Sequence, residues 1–147
     1  MTTRRLNRIF AADGRTVIIA LDHGLIDGPC EGFENPASTI SAVVAGGADA
    51  ILTSFGIAER FAAELGNVGL IVRSDGAETN LGTPSTGSLS KFFGPMDALR
   101  IGADALVVTA MPGADKEAAT LETLANVTAE EHRWGLPLLG EMVPGGF

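Results

Sequence analysis

The segment TVIIALDHGLIDGP, residues 16–29, joins a continuous apolar run to an abrupt polar end. Residues 17–21 are all apolar, Asp22 and His23 follow at once, and glycine or proline occupies three of the next six positions. An apolar run of this length is typical of a buried strand, and the glycines indicate a loop directly after it. The segment therefore predicts a strand over 16–22 that presents a carboxylate and an imidazole at its carboxyl end.

Similar apolar runs recur along the chain and alternate with alanine-rich segments that have helical spacing. The predicted strands are 16–22, 49–56, 69–76, 104–113 and 136–146, and the predicted helices are 35–47, 57–67, 94–102 and 115–135. Because the strand runs are continuously apolar, they indicate burial on both faces, as in a parallel sheet covered by helices. The alternation of strands and helices predicts an α/β fold.

A weak internal repeat supports a fold built from βα units. The segments AGGADAILTSFG (45–56) and RIGADALVVTAMPG (100–113) share a helix end, a glycine, Ala-Asp-Ala and a strand. No G-x-G-x-x-G motif follows the first strand, which argues against a dinucleotide-binding sheet. Units of roughly 30 residues, repeated eight times, would need about 250 residues, the usual size of a TIM (β/α)₈ barrel. We therefore predict a single partial barrel domain over 1–147 that covers about strands 1–5 and helices 1–4.

Composition narrows the classes of function and location. The net charge of −8 disfavours a nucleic-acid surface or attraction to an acidic membrane, and no run is long enough to span a bilayer. The only cysteine, Cys30, cannot form an internal disulfide. We therefore expect a cytoplasmic protein whose partners are neither nucleic acid nor membrane.

Polar residues mark the carboxyl end of every predicted strand, where the active site of a barrel lies. They are Asp22, His23, Thr53, Ser54, Arg73, Ser74, Asp75, Thr109 and Glu141. Among them we predict catalytic roles for Asp22, His23 and Glu141. We predict substrate-binding roles for Ser54, Arg73 and Ser74.

Each catalytic candidate also has a structural alternative. Asp22 is suited to acid–base work or to orienting a substrate hydroxyl, but it could instead accept bonds from loop amides. His23 alternates with Asp22 and would point toward the helix layer unless the strand bends. Glu141 is either a second reacting carboxylate or a partly buried charge paired with Arg73. The long segment 74–94, rich in Gly, Ser and Thr, is predicted to fold over a substrate or to contact another subunit.

Three stretches resemble the archaeal-type, DhnA-like class I aldolases. They are RLNRIFAADGRTVIIALDHGLIDGP (5–29), GGADAILTSFGI (46–57) and GLIVRSDGAETNLG (69–82), and DHG-x-x-x-GP at 22–29 is the most specific element. The family includes fructose-bisphosphate aldolases, aminodideoxyheptulosonate synthases and autoinducer-2 thiolase-like enzymes. The resemblance covers all 147 residues and about the first half of such a family member.

The resemblance implies a barrel that forms an imine between a lysine and a ketose or ketone phosphate. Its catalytic groups are an aspartate ending strand one, a tyrosine near the end of strand five and a lysine on strand six. Asp22 matches the aspartate, whereas Val143 precedes Pro144 where the tyrosine is expected and the sequence contains no tyrosine. Glu141 or His23 would then transfer the proton, and the lysine would lie beyond Phe147.

These arguments favour a class I aldolase-type lyase that acts on a small phosphorylated sugar or ketone. The reaction would need no cofactor or metal, and Asp22 would move a proton at a substrate hydroxyl. The protein would be a homo-oligomer and would act in carbohydrate metabolism. Residues 1–147 alone are expected to be inactive. One alternative is a half-barrel that only self-associates through the exposed edges of strands one and five. The other is a metal-dependent lyase that uses Asp22, His23 and Glu141.

Overall fold

The structure, a computed structural model, describes residues 3–77, 79–82 and 89–145. The helices are α1 (Thr3–Ile9), α2 (His23–Ile26), α3 (Pro36–Ala45), α4 (Phe55–Arg60), α5 (Ala62–Leu65), α6 (Pro95–Arg100) and α7 (Glu117–Trp134). The strands are β1 (Ile18–Leu21), β2 (Ala50–Thr53), β3 (Gly69–Arg73), β4 (Asp75–Gly76), β5 (Ser90–Lys91), β6 (Ala105–Ala110) and β7 (Leu138–Met142).

Five of the strands form one parallel sheet in the order β1-β2-β3-β6-β7. Helical segments connect successive strands of this sheet, so the predicted α/β fold with parallel strands is confirmed. The strands β4 and β5 pair separately, as a short antiparallel ladder. All carboxyl ends of the five parallel strands therefore meet at one edge of the sheet.

The two faces of the sheet carry two separate apolar clusters. The outer cluster lies between sheet and helices, and its buried members include Leu21, Ile40, Ile51, Val72 and Leu106. The inner cluster lies on the opposite face and consists of Ile9, Ala50, Leu52, Ile71, Ala105 and Val107, with Ile18 packed against it. Successive residues of a strand point to opposite faces, so Ile71 faces inward and Val72 faces outward.

Helix α1 covers the amino-terminal side of the inner cluster and was not predicted from the sequence. Its last residue, Ile9, is buried in that cluster. The chain of α1 approaches β3 so closely that a Cβ atom on Gly69 would lie 2.5 Å from the carbonyl oxygen of Arg8. A glycine at the start of β3 is therefore what allows α1 to pack there.

The two copies of the internal repeat make equivalent contacts. Asp49 exchanges backbone and side-chain hydrogen bonds with Val17, since its N–H donates to the Val17 carbonyl (3.0 Å) and its Oδ2 accepts from the Val17 N–H (2.8 Å). Asp104 does the same with Leu70, at 2.7 Å and 3.1 Å. Each repeated aspartate thus ties the start of its strand to the neighbouring strand.

Several predicted elements differ from the observed ones. The predicted helix 57–67 is two helices, because Phe61 leaves helical geometry with φ −111° and ψ 33°. The predicted strand 69–76 ends at Arg73, because the carbonyl of Ser74 turns away to accept hydrogen bonds from the N–H groups of Phe92 and Phe93. Burial on both faces holds for the central strands β2, β3 and β6, whereas the edge strands β1 and β7 are partly exposed. None of the helices within the described residues is long and apolar enough to cross a membrane.

Candidate active site

The alternation of side chains brings polar groups to the inner face at the carboxyl edge of the sheet. Arg73 lies two residues after Ile71, which belongs to the inner cluster, and therefore faces inward as well. Thr109 follows Val107 in the same way and is the register partner of Glu141 on β7. These three residues form a polar layer above the apolar inner cluster.

Asp22 enters this layer directly after β1. The strand ends at Leu21, which packs in the outer cluster, so that the next residue lies on the inner side. Asp22 then precedes the first turn of α2, and its side chain is only 5% exposed. The local sequence places it there because an apolar strand is followed by a chain reversal at the glycine-containing turn of residues 23–26.

The guanidinium group of Arg73 connects all these residues. Its Nε donates to Asp22 Oδ2, its Nη1 donates to Asp75 Oδ1 (3.2 Å) and to Thr109 Oγ1 (2.7 Å), and its Nη2 donates to Glu141 Oε2 (2.8 Å). The Arg73 side chain is 2% exposed. A single buried cation is therefore held by three carboxylates and one hydroxyl.

Thr109 and Asp75 close the network around the arginine. Thr109 Oγ1 donates to Glu141 Oε2 (3.1 Å), and the backbone N–H of Thr109 donates to Asp75 Oδ2 (2.7 Å). Asp75 is fully buried and binds both Arg73 and Thr109 through different oxygens. The orientation of the guanidinium plane is thus fixed from two sides.

The electrostatic balance of the network is negative. With three ionised carboxylates and one guanidinium, the formal charge is −2. Burial by itself lowers the pKa of Arg73, but the charges of Asp22 and Glu141 and their hydrogen bonds outweigh it, so the pKa is raised. Arg73 therefore stays charged, as arginine does in proteins.

A cavity of about 270 Å³ opens beside this network. Arg73, Thr109 and Glu141 line its polar side, and Ile26, Met111 and Val143 line part of its apolar side. Of the two predicted carboxylates, Glu141 is the more accessible, with 37% of its side chain exposed against 5% for Asp22. A larger cavity of about 370 Å³ lies at the other end of the sheet, near Arg8 and Asp104, away from the polar layer.

Three predicted site residues lie outside the network. His23 begins helix α2, is exposed, and its ring centre lies 6.0 Å from that of Phe33. Ser54 caps α4, where its hydroxyl accepts from the Ile57 N–H at 3.4 Å. Ser74 is buried and donates its hydroxyl hydrogen to the Phe93 carbonyl at 2.7 Å.

His23 lies away from the network because β1 ends one residue earlier than predicted. The prediction ended the strand at Asp22 and expected His23 to continue its alternation, whereas the chain leaves the strand after Leu21 and His23 starts a helical turn. The metal-dependent alternative required His23 to meet Asp22 and Glu141. Within the described residues no three His, Cys, Asp or Glu side chains are arranged to hold a metal ion, and both carboxylates bind Arg73 instead.

The structure adds two residues that the site prediction omitted, Asp75 and Thr109. Both lie at predicted strand ends. They are an even number of residues after Ile71 and Val107, which face inward, and this spacing is the signal that would have identified them as site residues. Glu141 pairs with Arg73 and also lines the cavity, so features of both alternatives for this residue are present. Part of the predicted covering segment 74–94, residues 78 and 83–88, lies outside the described residues.

Comparison with known proteins assigns the family. Residues 16–146 match the profile of the DeoC/LacD family of aldolases. The chain belongs to the DeoC/LacD aldolase family. The resemblance to class I aldolases recognised in the sequence is thereby confirmed.

Two curated aldolase-family relatives illustrate the range of this similarity. A 2-amino-3,7-dideoxy-D-threo-hept-6-ulosonate synthase from Halobacterium salinarum is 41% identical over 138 residues, which cover 93% of this chain and 51% of that protein. A class 1 fructose-bisphosphate aldolase from Thermoproteus tenax is 31% identical over 149 aligned residues, which cover 98% of this chain and 55% of that protein. The chain thus spans about half the length of these relatives.

The aldolase fold is also found by comparison with solved structures. A structure described as a Schiff-base-forming fructose-1,6-bisphosphate aldolase matches with a TM-score of 0.82 and 30% identity. The match covers 99% of this chain and 59% of that chain. The five parallel strands of this aldolase-family chain therefore correspond to part of a TIM barrel, as predicted.

Proposed function

We propose that this chain supplies the carboxylates of a class I, imine-forming aldolase that cleaves or joins a small phosphorylated sugar or ketone. The observation that carries the proposal is the inward layer of Asp22, Arg73 and Glu141 at the carboxyl edge of a barrel sheet. Family membership and the likeness to a Schiff-base-forming aldolase support the reaction type. Similarity to fructose-bisphosphate aldolases supports a phosphorylated substrate.

Asp22 would move the proton of a substrate hydroxyl during carbon–carbon bond cleavage. A carboxylate positioned at the reacting hydroxyl accepts its proton as the bond breaks and returns it in the reverse direction. Its ion pair with Arg73 keeps the side chain on the inner face, and burial excludes water from it. The ion pair and the burial both suit a carboxylate that must approach a single substrate hydroxyl in a fixed orientation.

Glu141 would perform the second proton transfer, at the carbon released by cleavage. Its register partner is Thr109 and it lines the cavity, so it faces the same space as the substrate. Both of its observed hydrogen bonds go to Oε2, and we assign Oε1 to the substrate. Glu141 would thus replace the tyrosine that the family resemblance leads one to expect in the segment 140–147.

The lysine that forms the imine would be neither Lys91 nor Lys116. Lys91 lies in β5 and pairs with Glu130 on α7, and Lys116 immediately precedes α7, so neither belongs to the polar layer. We place the imine lysine outside residues 1–147. We assign no proton transfer to His23, since its side chain is exposed and lies near Phe33, outside the polar layer.

The proposal is tested by cleavage kinetics of the full-length protein carrying this chain, with fructose 1,6-bisphosphate as the probe. Asp22→Asn should lower kcat by about 10²–10⁴-fold, since it removes a general acid–base group. Asp13→Asn, an exposed carboxylate paired with Arg15, is the control and should retain full activity. Retention of kcat in Asp22→Asn would contradict the proposed proton transfer by Asp22. Loss of wild-type activity after EDTA treatment would contradict the imine mechanism.

A second candidate function, self-association without catalysis, is favoured by the edges of the sheet. Within the described residues β1 and β7 each pair on one side only, and Ala20 and Leu139 are exposed there. Unpaired strand edges of this kind are templates for pairing with another chain.

Sedimentation of the 147-residue chain tests this self-association. A concentration-dependent mass that Leu139→Lys abolishes, together with no turnover in the full-length protein, would favour this function. The homo-oligomeric state and the cytoplasmic location stay predictions.

A further inference from the structure

We propose that Arg73 is a positioning residue of this site, holding Asp22 and Glu141 toward the substrate, and that it does not bind the substrate itself. This inference rests on the proposed function. It also replaces the substrate-binding role that the sequence predicted for Arg73. The argument depends on where the hydrogen bonds of the guanidinium group go.

Four of the five N–H groups of the Arg73 guanidinium already bind the protein. Nε binds Asp22, Nη1 binds Asp75 and Thr109, and Nη2 binds Glu141. The fifth N–H group, on Nη2, belongs to a side chain that lines the cavity but is only 2% exposed, so a phosphate held by two donors would have to displace a carboxylate. Breaking such a buried pair leaves an uncompensated charge, which is strongly unfavourable. The formal charge of −2 around the guanidinium also repels an incoming phosphate.

The same hydrogen bonds join groups that no strand pairing connects. Asp22 follows β1 and Glu141 lies on β7, and these strands are the two opposite edges of the sheet. Arg73 lies on the central strand β3 and reaches both carboxylates with different nitrogens. Arg73 thereby sets the distance between the carboxylates of Asp22 and Glu141, the two groups that are proposed to transfer protons.

The planar fork of arginine is what this arrangement requires. Guanidinium presents donors in several fixed directions, whereas the ammonium group of lysine is a compact charge on a flexible stem. Asp75 and Thr109 bind Nη1 together and prevent the fork from rotating. Lysine at position 73 would keep the charge but lose this simultaneous contact with strands at both edges.

The experiment compares two probes, fructose 1,6-bisphosphate and fructose 1-phosphate, with the full-length wild-type protein, Arg73→Lys and Thr109→Val. Positioning predicts that Arg73→Lys lowers kcat by about 100-fold for both probes while KM changes by less than about threefold. Thr109→Val, which removes one of two contacts on Nη1, should lower kcat less. The exposed Arg100→Gln, whose guanidinium pairs with Asp97 at 3.5 Å, is the control and should match the wild type.

A substrate-binding arginine gives a different result. If KM rises and kcat is retained in Arg73→Lys, then Arg73 contacts a phosphate and the inference is wrong, whether KM rises for both probes (the shared C1 phosphate) or for the bisphosphate alone (the C6 phosphate). Equal kcat and KM in Arg73→Lys and the wild type would overturn it as well.

A measurement without turnover separates this inference from the proposed function. Urea midpoints are compared for Arg73→Gln, Asp22→Asn and the double variant. If Arg73 holds Asp22 in place, the urea midpoint of the double variant falls by less than the sum of the falls in the two single variants. The reason is that Asp22→Asn neutralises the carboxylate that Arg73→Gln leaves unpaired. Additive losses would overturn the inference. Wild-type inactivity with a non-additive cycle would reject the proposed reaction and leave the positioning of Asp22 by Arg73 established.

Discussion

Arg73 at the end of β3 forms a buried ion pair with Asp22 at the end of β1, across the intervening strand β2. The two side chains are 2% and 5% exposed. Burying both charges carries a desolvation penalty that their attraction offsets only when the remaining donors are also satisfied. Asp75, Thr109 and Glu141 accept from three of the four remaining donors of Arg73, so the stability of this layer depends on all three residues.

Removal of Asp22 should therefore destabilise the protein strongly. Asp22→Ala leaves part of the Arg73 charge unpaired in the interior, and we expect the free energy of unfolding to fall by about 3–5 kcal/mol. Urea unfolding followed by circular dichroism measures this change. Asp13→Ala, at an exposed Arg–Asp pair, should cost less than about 1 kcal/mol. A loss in Asp22→Ala as small as in the control would contradict the buried pair.

Glu141→Gln tests the proposed second proton transfer. The amide keeps the size of the side chain and an oxygen for the Arg73 and Thr109 hydrogen bonds, but it cannot accept a proton from substrate. We expect kcat to fall by about 10²–10⁴-fold with little change in KM. Steady-state kinetics of the full-length protein measure both values. Glu59→Gln, an exposed change on α4, should have no effect. Wild-type kcat in Glu141→Gln would assign the proton transfer to another group.

Glu131 on α7 makes the stability of the fold dependent on pH. Its side chain is fully buried, and neither carboxylate oxygen has a hydrogen-bond partner among the described residues. Burial raises the pKa of Glu131 from 4.5 to about 7, and Glu130 adds to this rise while Lys91 opposes it. Below pH 4.5 the carboxyl group is protonated in both the folded and the unfolded chain. Between these two pKa values the unfolded chain ionises first, so stability falls as the pH rises, and it becomes constant above the folded pKa.

Glu131→Gln should remove this pH dependence. The variant should be more stable than the wild type at pH about 8, by on the order of 3 kcal/mol, and the difference should vanish at pH about 4. Urea unfolding at both pH values provides the comparison. Glu122→Gln, an exposed position on the same helix, is the matched control and should change stability little. Equal stability of Glu131→Gln and the wild type at the higher pH would contradict the buried, unpartnered carboxylate.

Gly69→Ala tests the packing of α1 against the start of β3. The new Cβ atom would lie 2.5 Å from the Arg8 carbonyl oxygen and 3.1 Å from Ala50 Cβ, so the backbone of α1 must move. We expect a loss of about 1–3 kcal/mol in the free energy of unfolding. Gly56→Ala has no atom within 4 Å of the new Cβ and should stabilise α4 slightly. A neutral Gly69→Ala would show that α1 does not pack there in solution.

The sequence predicted the parts of this site that follow from periodicity. Continuous apolar runs indicated parallel strands, and their polar ends selected Asp22, Arg73 and Glu141, which the structure brings together. The position of His23 was not predictable from the same pattern, because the apolar run does not show that a helical turn starts directly after Asp22.

Other features depend on tertiary contacts that have no local signal. Arg73 binds both Asp75 and Thr109 because the register of β3 against β6 pairs Arg73 with Val107. Helix α1 lacked a recognisable pattern, since among residues 4–9 only Ile9 is buried. The division of 57–67 at Phe61 likewise reflects packing on the outer cluster.

The most direct test of the central claim is borohydride reduction of the full-length protein in the presence of fructose 1,6-bisphosphate, followed by intact-mass and peptide analysis. An imine-forming aldolase gives a covalent adduct on one lysine, and we predict that this lysine is neither Lys91 nor Lys116. The Asp22→Asn variant should still form the adduct, since its defect lies in proton transfer after the imine has formed. Absence of any adduct in a folded wild-type protein that cleaves the substrate would contradict the proposed mechanism.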